Sequence, residues 1–425
     1  MINRTIAPEF HIPSTVDIKH AEMQSLDNGV PVFMVNAGQQ DVIRLEFIFD
    51  AGSYYETTVG EAYFTVKMLA EGTAKRTASE IEELIAAHGA FIDLNSGPDR
   101  SSIELYTLNK HLPALLPLIH ELLTSPSFED NSLEKLLNIT LQNIKVNLEK
   151  TAFLATRTFK SSVFGLDHPY GRSMTEENLR LINTQTLKEF FKNNYKENNY
   201  IIVASGAIQD DLTHNLNKFF GTTPKGAKKD PKQASEFPFK PKQVVIEKPE
   251  SLQSSIRIGN PAIPFNHPDY FKFNLTLEIF GGYFGSRLMK NIREDKGFTY
   301  GIYSSHIVMQ KAAFMVIGTD VKKENTRQTL EEIKKEIKTL QTELVGDEEL
   351  LTVKNYLTGT FLNSINTPFA LADKFKMVYF HDLGYDFYDQ HLSSIKSITS
   401  EEILETARQY LNPEDLTEVI VGGLE

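Results

Sequence analysis

The stretch Tyr200-Ile201-Ile202-Val203-Ala204-Ser205-Gly206 follows a helical pattern made by Leu187-Lys188-Glu189-Phe190-Phe191 and Tyr195. It has a counterpart near the end of the chain, Leu416-Thr417-Glu418-Val419-Ile420-Val421-Gly422, which follows Ile403-Leu404, Ala407 and Tyr410. Each copy reads as a helix leading into an apolar strand that stops on glycine. Tyr195 and Tyr410 lie 215 positions apart, and Gly206 and Gly422 lie 216 apart, as expected for one α+β unit written twice. A length of 425 residues agrees, since a single hydrophobic core seldom grows that large.

Between the copies, residues 224–248 carry Pro224, Pro231, Pro238 and Pro241 among seven lysines and few apolar side chains. This composition reads as an exposed linker, with a basic stripe for an acidic partner as the alternative. The expected organisation is a first domain over 1–223, a linker over 224–248 and a second domain over 249–425. In the first half, Pro31 to Phe49 suggests two strands. Ser79-Glu80-Ile81-Glu82 is read as a capping box opening a helix with Ile81, Leu84 and Ile85 on its apolar face, ended by Gly89. Phe91 to Asn95 and Ser102 to Leu108, joined through Gly97-Pro98-Asp99, suggest an antiparallel hairpin, and helices dominate from Leu112 to Phe191. Strands and helices in blocks favour a mainly antiparallel sheet with helices on one face of each unit.

Composition excludes several function classes. The formal net charge of −12 argues against a general nucleic-acid binder, which needs cations to neutralise phosphates. The absence of cysteine removes thiolate metal sites, disulfides and a cysteine nucleophile. No apolar run suits a signal peptide or a membrane span, so a cytoplasmic location is expected, or a periplasmic one if a leader has been removed.

The segment Gly60-Glu61-Ala62-Tyr63-Phe64-Thr65-Val66-Lys67-Met68-Leu69-Ala70-Glu71-Gly72-Thr73 closely resembles the signature helix of the pitrilysin/insulinase family of zinc peptidases. Members that cut peptides carry HxxEH there. Histidines four apart share one helical face and bind the metal, while the glutamate activates its water. In this chain those positions are Tyr63, Val66 and Lys67, and the family's third ligand, a glutamate about 76 residues further on, aligns with Asn143. A phenol, an aliphatic chain, a cation and an amide do not make a zinc site. The eleven histidines form no HxxEH or HExxH pattern; His111 and His120 are nine apart, and His168 sits in a His168-Pro169-Tyr170-Gly171 turn common in the family.

The second half holds Phe280-Gly281-Gly282-Tyr283-Phe284-Gly285-Ser286, continuing to Arg293 and Tyr300, which resembles the family's glycine-rich loop and the arginine–tyrosine pair that follows it. The resemblance implies that Arg293 and Tyr300 act in catalysis, and that Gly281, Gly282 and Gly285 take part in substrate binding. The local pattern is compatible with this. Ser286 to Asp295 reads as a helix with Leu288, Met289 and Ile292 inward, Gly297 turns the chain, and a strand follows with Phe298, Tyr300 and Ile302 on one face. Arg293 and Tyr300 could then converge on one oxyanion. The structural alternative is an arginine that satisfies the helix dipole and a tyrosine that packs.

Taken over the whole chain, the resemblance implies two homologous α/β roll domains and the non-catalytic subunit of a heterodimeric metallopeptidase. No cofactor is expected in this chain, zinc is expected in a homologous HxxEH-bearing partner, and unstructured peptides are the expected substrates. Nucleic acid and membrane insertion are not expected. The alternative is an inactive scaffold or a peptide-binding protein of the same fold.

Overall fold

A computed structural model describes residues 16–195, 199–222 and 237–424. Its first sheet contains β1 (Glu22–Ser25), β2 (Pro31–Asn36), β3 (Val42–Phe49), β4 (Phe91–Ser96), β5 (Ser101–Leu108) and β6 (Tyr200–Gly206), in the order β1-β2-β6-β3-β5-β4. The second contains β7 (Gln243–Glu247), β8 (Gln253–Pro261), β9 (Thr299–Val308), β10 (Ala313–Lys322) and β11 (Thr417–Gly422), in the order β7-β11-β8-β10-β9. The second order is the first without β1. In both sheets the last strand pairs in parallel with one neighbour, β2 or β7, and every other pairing is antiparallel.

The repeated glycines show why the copies match in sequence. Gly206 and Gly422 both have positive φ, +125° and +133°. A Cβ there would lie 2.2 Å from the Val42 carbonyl oxygen and 2.6 Å from that of Gln253, at the starts of β3 and β8. No L side chain fits either corner.

Helices α1 (Glu61–Met68), α2 (Ala78–Ala87), α3 (Leu112–Thr124), α4 (Asp130–Leu148), α5 (Thr151–Phe164), α6 (Glu176–Leu181), α7 (Thr184–Asn194) and α8 (Leu212–Phe220) belong to the first half. The second half supplies α9 (Tyr270–Leu277), α10 (Thr326–Thr342), α11 (Asp347–Asn363), α12 (Pro368–Phe380), α13 (Asp386–Ser397) and α14 (Ser400–Tyr410). The box opening α2 is made by Thr77 and Glu80, with Thr77 as N-cap, two residues before the position the sequence suggested. An exposed threonine and an exposed serine offer the same cap chemistry, and pattern alone cannot choose between them.

Each sheet is covered on its second face by the other half. The pleat sends Val32, Met34, Leu45 and Phe47 into the core of the first half. Phe33, Val35, Ile48 and Val203 point the opposite way and pack with Leu371, Ala372 and Phe375 of α12. Reciprocally, Val419 and Val421 join Ala155, Phe159 and Val163 of α5, while Ile420 faces the core under α10 and α14. Strands buried on both faces read as continuous apolar runs, which is why Tyr200–Gly206 and its repeat lack alternation.

Charge pairs fix these crossings. Arg44 and Glu46 on β3 are 5% and 0% exposed. Arg44 bridges Glu46 and Asp373 at 2.9 Å each, and Lys376 of α12 pairs with Glu46 and, at 3.0 Å, with Asp373. Removing one member would strand a buried charge. On the other side, Ser255 donates to Thr151 of α5 at 2.9 Å, and Arg257 donates to Thr156 at 3.2 Å and pairs with Asp320.

Of the expected linker, residues 224–236 lie outside the described residues. Gln243–Glu247 forms the edge strand β7, so the second sheet begins inside that stretch.

Candidate functional site

The degenerate helix α1 begins after Gly60, whose φ is +111°. Its exposed N–H groups draw in carboxylates. Glu56 accepts from the Ala62 amide at 2.9 Å, and Glu61 accepts from the Thr57 amide at 2.8 Å. Burial pushes the Glu56 carboxyl up to about 7 despite the helper N–H groups of Ala62 and Gly60 and the charge of Arg172. Sequence reasoning passed over Glu56; its signal was an acidic residue shortly before a glycine-started helix.

The four positions aligned with zinc ligands and base do not assemble a metal site. Val66 is buried with no donor atom, and Lys67 turns its ammonium onto the Leu94 carbonyl of β4 at 2.6 Å. Tyr63 and the exposed Asn143 of α4 line a common cleft of roughly 560 Å³, together with Glu56, Arg157 and Arg172. That cleft is bordered by two neutral groups where ligands would be needed and by guanidinium groups that repel a dication, so the residues do not fit zinc. Among the described residues, no group of three or more His, Asp or Glu side chains could hold a metal ion. His168 is buried in its turn, where Nδ1 accepts from the Tyr170 amide at 3.1 Å and the ring stacks on Phe164.

The glycine-rich loop lies between α9 and β9. Glu278–Gly282 and Met289–Asp295 wind as π-helix, with Leu288, Met289 and Ile292 buried as the spacing predicted. Arg287 grips Glu349 of α11 through two bonds of 3.0 and 2.9 Å, and Asn291 donates to Glu332 and Glu336 of α10 at 2.9 and 2.6 Å. The C-terminal side of the loop is thereby pinned to two helices. Gly281 is buried, and a Cβ on it would lie 2.8 Å from the Ser304 amide nitrogen, so its missing side chain serves packing against β9. Gly282 stands at the surface, and Gly285 lies under the Tyr283 ring.

Arg293 is half-buried and Tyr300 exposed, and both reach the surface. The Arg293 guanidinium sits 4.5 Å from the centre of the exposed Phe284 ring, within the usual range of a cation–π contact. Tyr300 is 92% exposed. Among the described residues, neither makes a hydrogen bond or an ion pair, and no ring contact links them. One expectation needs correction. Tyr300 does not share a face with Ile302, which is 3% exposed. The β9–β10 register runs Ile302↔Thr319 and then Thr299↔Val321, so β9 carries an extra residue at Tyr300-Gly301. This bulge throws Tyr300 off the pleat. Thr299 and Thr319 stitch it, each donating to the Gly301 carbonyl, at 2.9 and 3.0 Å. Gly301 was the available signal, because a glycine inside a strand pattern often marks a bulge.

Two family profiles cover most of the chain: "Insulinase (Peptidase family M16)" over residues 32–169 and "Peptidase M16 inactive domain" over 182–357. The chain belongs to the insulinase family, M16. Within it, this member lacks the metal-binding side chains. It is 23% identical over 390 residues to the Bacillus subtilis "Uncharacterized zinc protease YmxG", covering 90% of this chain and 93% of that one. It is 25% identical over 385 residues to the Helicobacter pylori "Non-peptidase homolog YmxG", covering 86% and 85%. A crystal structure from Pseudomonas fluorescens, described as a peptidase M16 inactive domain, superposes with a TM-score of 0.84 at 24% identity over 95% of this chain and 98% of that one. The architecture is therefore the family's pair of α+β domains. Among the described residues, no helix is long and apolar enough to cross a membrane.

Proposed function

We propose that this chain is the zinc-free subunit of a two-chain peptidase, lending Arg293 and Tyr300 to a site whose zinc is held by a homologous HxxEH-bearing partner. The observation that carries the reading is an asymmetry between the two halves. The zinc positions of the first half are filled by Tyr63, Val66, Lys67 and Asn143, with Lys67 already satisfied by Leu94, while the second half presents Arg293 and Tyr300 to the outside on a pinned loop and a bulge. Such presentation suits residues that act on something beyond their own chain.

In this reading the partner supplies the metal-dependent attack on an unstructured peptide. Tyr300 donates its phenolic hydrogen to the peptide oxygen that gains negative charge, and the Arg293 cation stabilises the same charge. Both interactions strengthen as the transition state is approached, so they raise turnover more than affinity. The exposed backbone at Gly282 lets a peptide approach closely, with the half-buried Gly285 beside it under the Tyr283 ring. Cytoplasmic or periplasmic placement belongs to the same proposal.

A second reading, an inactive scaffold of the same fold, draws on the Helicobacter pylori relative being a non-peptidase homolog. Mixing separates the two. The purified chain, an HxxEH-bearing homologue from the same genome, and the two together are run on gel filtration and assayed on a fluorogenic unstructured peptide. The two-chain reading expects a mixed complex that cleaves, with this chain inert alone. A homologue that neither binds this chain nor gains activity from it would overturn the proposal.

A further inference from the structure

A second pocket, of roughly 300 Å³, lies wholly within the second half, between α9, α11, α12 and α13. Its walls are aromatic, with Tyr270, Phe361 and Tyr388 among them, and it contains two ionisable groups of opposite sign, Glu278 and Lys374. The Lys374 ammonium lies over the faces of Phe361 and Tyr388, at 5.7 and 5.8 Å from their centres. Among the described residues it makes no hydrogen bond or ion pair. Its neighbour Asp373 is no substitute, because that carboxylate is already held by Arg44 and Lys376. Glu278 likewise has no hydrogen bond or ion pair among the described residues, and its carboxylate rests against the glycine loop, where a Cβ on Gly282 would lie 2.4 Å from Oε2.

Half-buried charges without partners are costly, and burial draws Lys374 down and pushes Glu278 up. His391, also in the wall, is drawn down to about 4 by burial and by Lys374, so it is neutral at pH 7 and cannot compensate either charge. An apolar pocket with one cation and one anion that the described residues leave without an opposite charge in contact is complementary to a ligand carrying both signs around an apolar body.

We propose that this pocket binds a free α-amino acid with an apolar side chain, its carboxylate on Lys374, its ammonium on Glu278 and its side chain among the aromatic walls. The site is separate from Arg293 and Tyr300 and does not depend on their role. It also has a route to the rest of the molecule. Lys374 stands on α12 between Asp373 and Lys376, the two residues that fasten that helix to β3 of the first half. Occupancy therefore tightens the helix that joins the halves, and the melting midpoint rises.

The test is thermal unfolding and titration calorimetry of the full chain with L-leucine, L-methionine, L-phenylalanine and L-tyrosine, each compared with its amide and its N-acetyl derivative. At least one free amino acid should bind and raise the midpoint, and its amide and N-acetyl forms should each bind at least about tenfold more weakly. Lys374→Met should abolish the preference for acid over amide, and Glu278→Gln the preference for the free over the acetylated amine. The derivative comparison on the unaltered chain decides the matter even if a variant fails to fold. No binding by any of the four, or equal binding of acid, amide and acetylated forms, would overturn the proposal.

Discussion

Replacing Glu56 with glutamine should make this protein more stable at neutral pH and above, with the gain shrinking towards zero as the pH falls to about 4.5. Glu56 is 5% exposed, and its carboxyl group sits at the start of α1 and is held up to about 7 in the folded chain, against an ordinary 4.5, chiefly by burial. Between those two values the folded state keeps a proton that the unfolded state has released. Stability therefore falls as pH rises from about 4.5, and the loss is complete above about 7. The pKa difference of about 2.5 corresponds to about 3 kcal/mol. Glutamine keeps an oxygen for the Ala62 amide and carries no charge to desolvate. His306 and His391, both drawn down to about 4, act with the opposite sign over an overlapping range, but they contribute equally to both proteins and cancel in the comparison. Urea unfolding of the two proteins at pH 5, 6, 7 and 8 gives the answer. The glutamine variant should lead by less than about 1 kcal/mol at pH 5 and by about 3 kcal/mol at pH 8. A pH-independent difference, or a variant less stable at pH 8, would show that the carboxylate is stabilised by Arg172 and the helix start more than burial disfavours it.

Other outcomes follow from the same geometry. Elemental analysis after dialysis against zinc should find no stoichiometric metal, because Tyr63, Val66, Lys67 and Asn143 offer neither negative charge nor a ligand set; one zinc per chain would contradict this. Gly206→Ala should destabilise the first half by at least about 2 kcal/mol in urea unfolding, since it combines positive φ with a Cβ 2.2 Å from the Val42 oxygen. Gly297→Ala, with positive φ but nothing within 4 Å of the added carbon, should cost less, about 1 kcal/mol.

The sequence made the duplication legible because both copies obey the same steric rule at Gly206 and Gly422 and bury the same apolar strand. Paired offsets of 215 and 216 survive where identity does not. The mutual covering of the sheets was not legible. An apolar run such as Tyr200–Gly206 announces burial on two faces without saying which helix covers the second, and α12 lies more than 160 residues away in the chain. At the candidate site, the missing ligands could be read directly, since identity alone decides whether Val66 or Lys67 can bind zinc. The outward turn of Tyr300 could not, because strict alternation places it with Ile302 and only the extra residue beside Gly301 breaks the register. The pocket around Glu278 and Lys374 draws on four helices, and no local spacing brings those residues together.

The most direct test of the central claim is steady-state peptide hydrolysis by the assembled two-chain enzyme carrying Tyr300→Phe in this subunit. Tyr300 is 92% exposed, so folding and pairing should be retained on gel filtration. Loss of one donor to the developing oxyanion should lower kcat by about 10²–10³-fold, with KM changing far less. Turnover equal to that of the unaltered complex would contradict the account and leave Tyr300 without a part in the reaction.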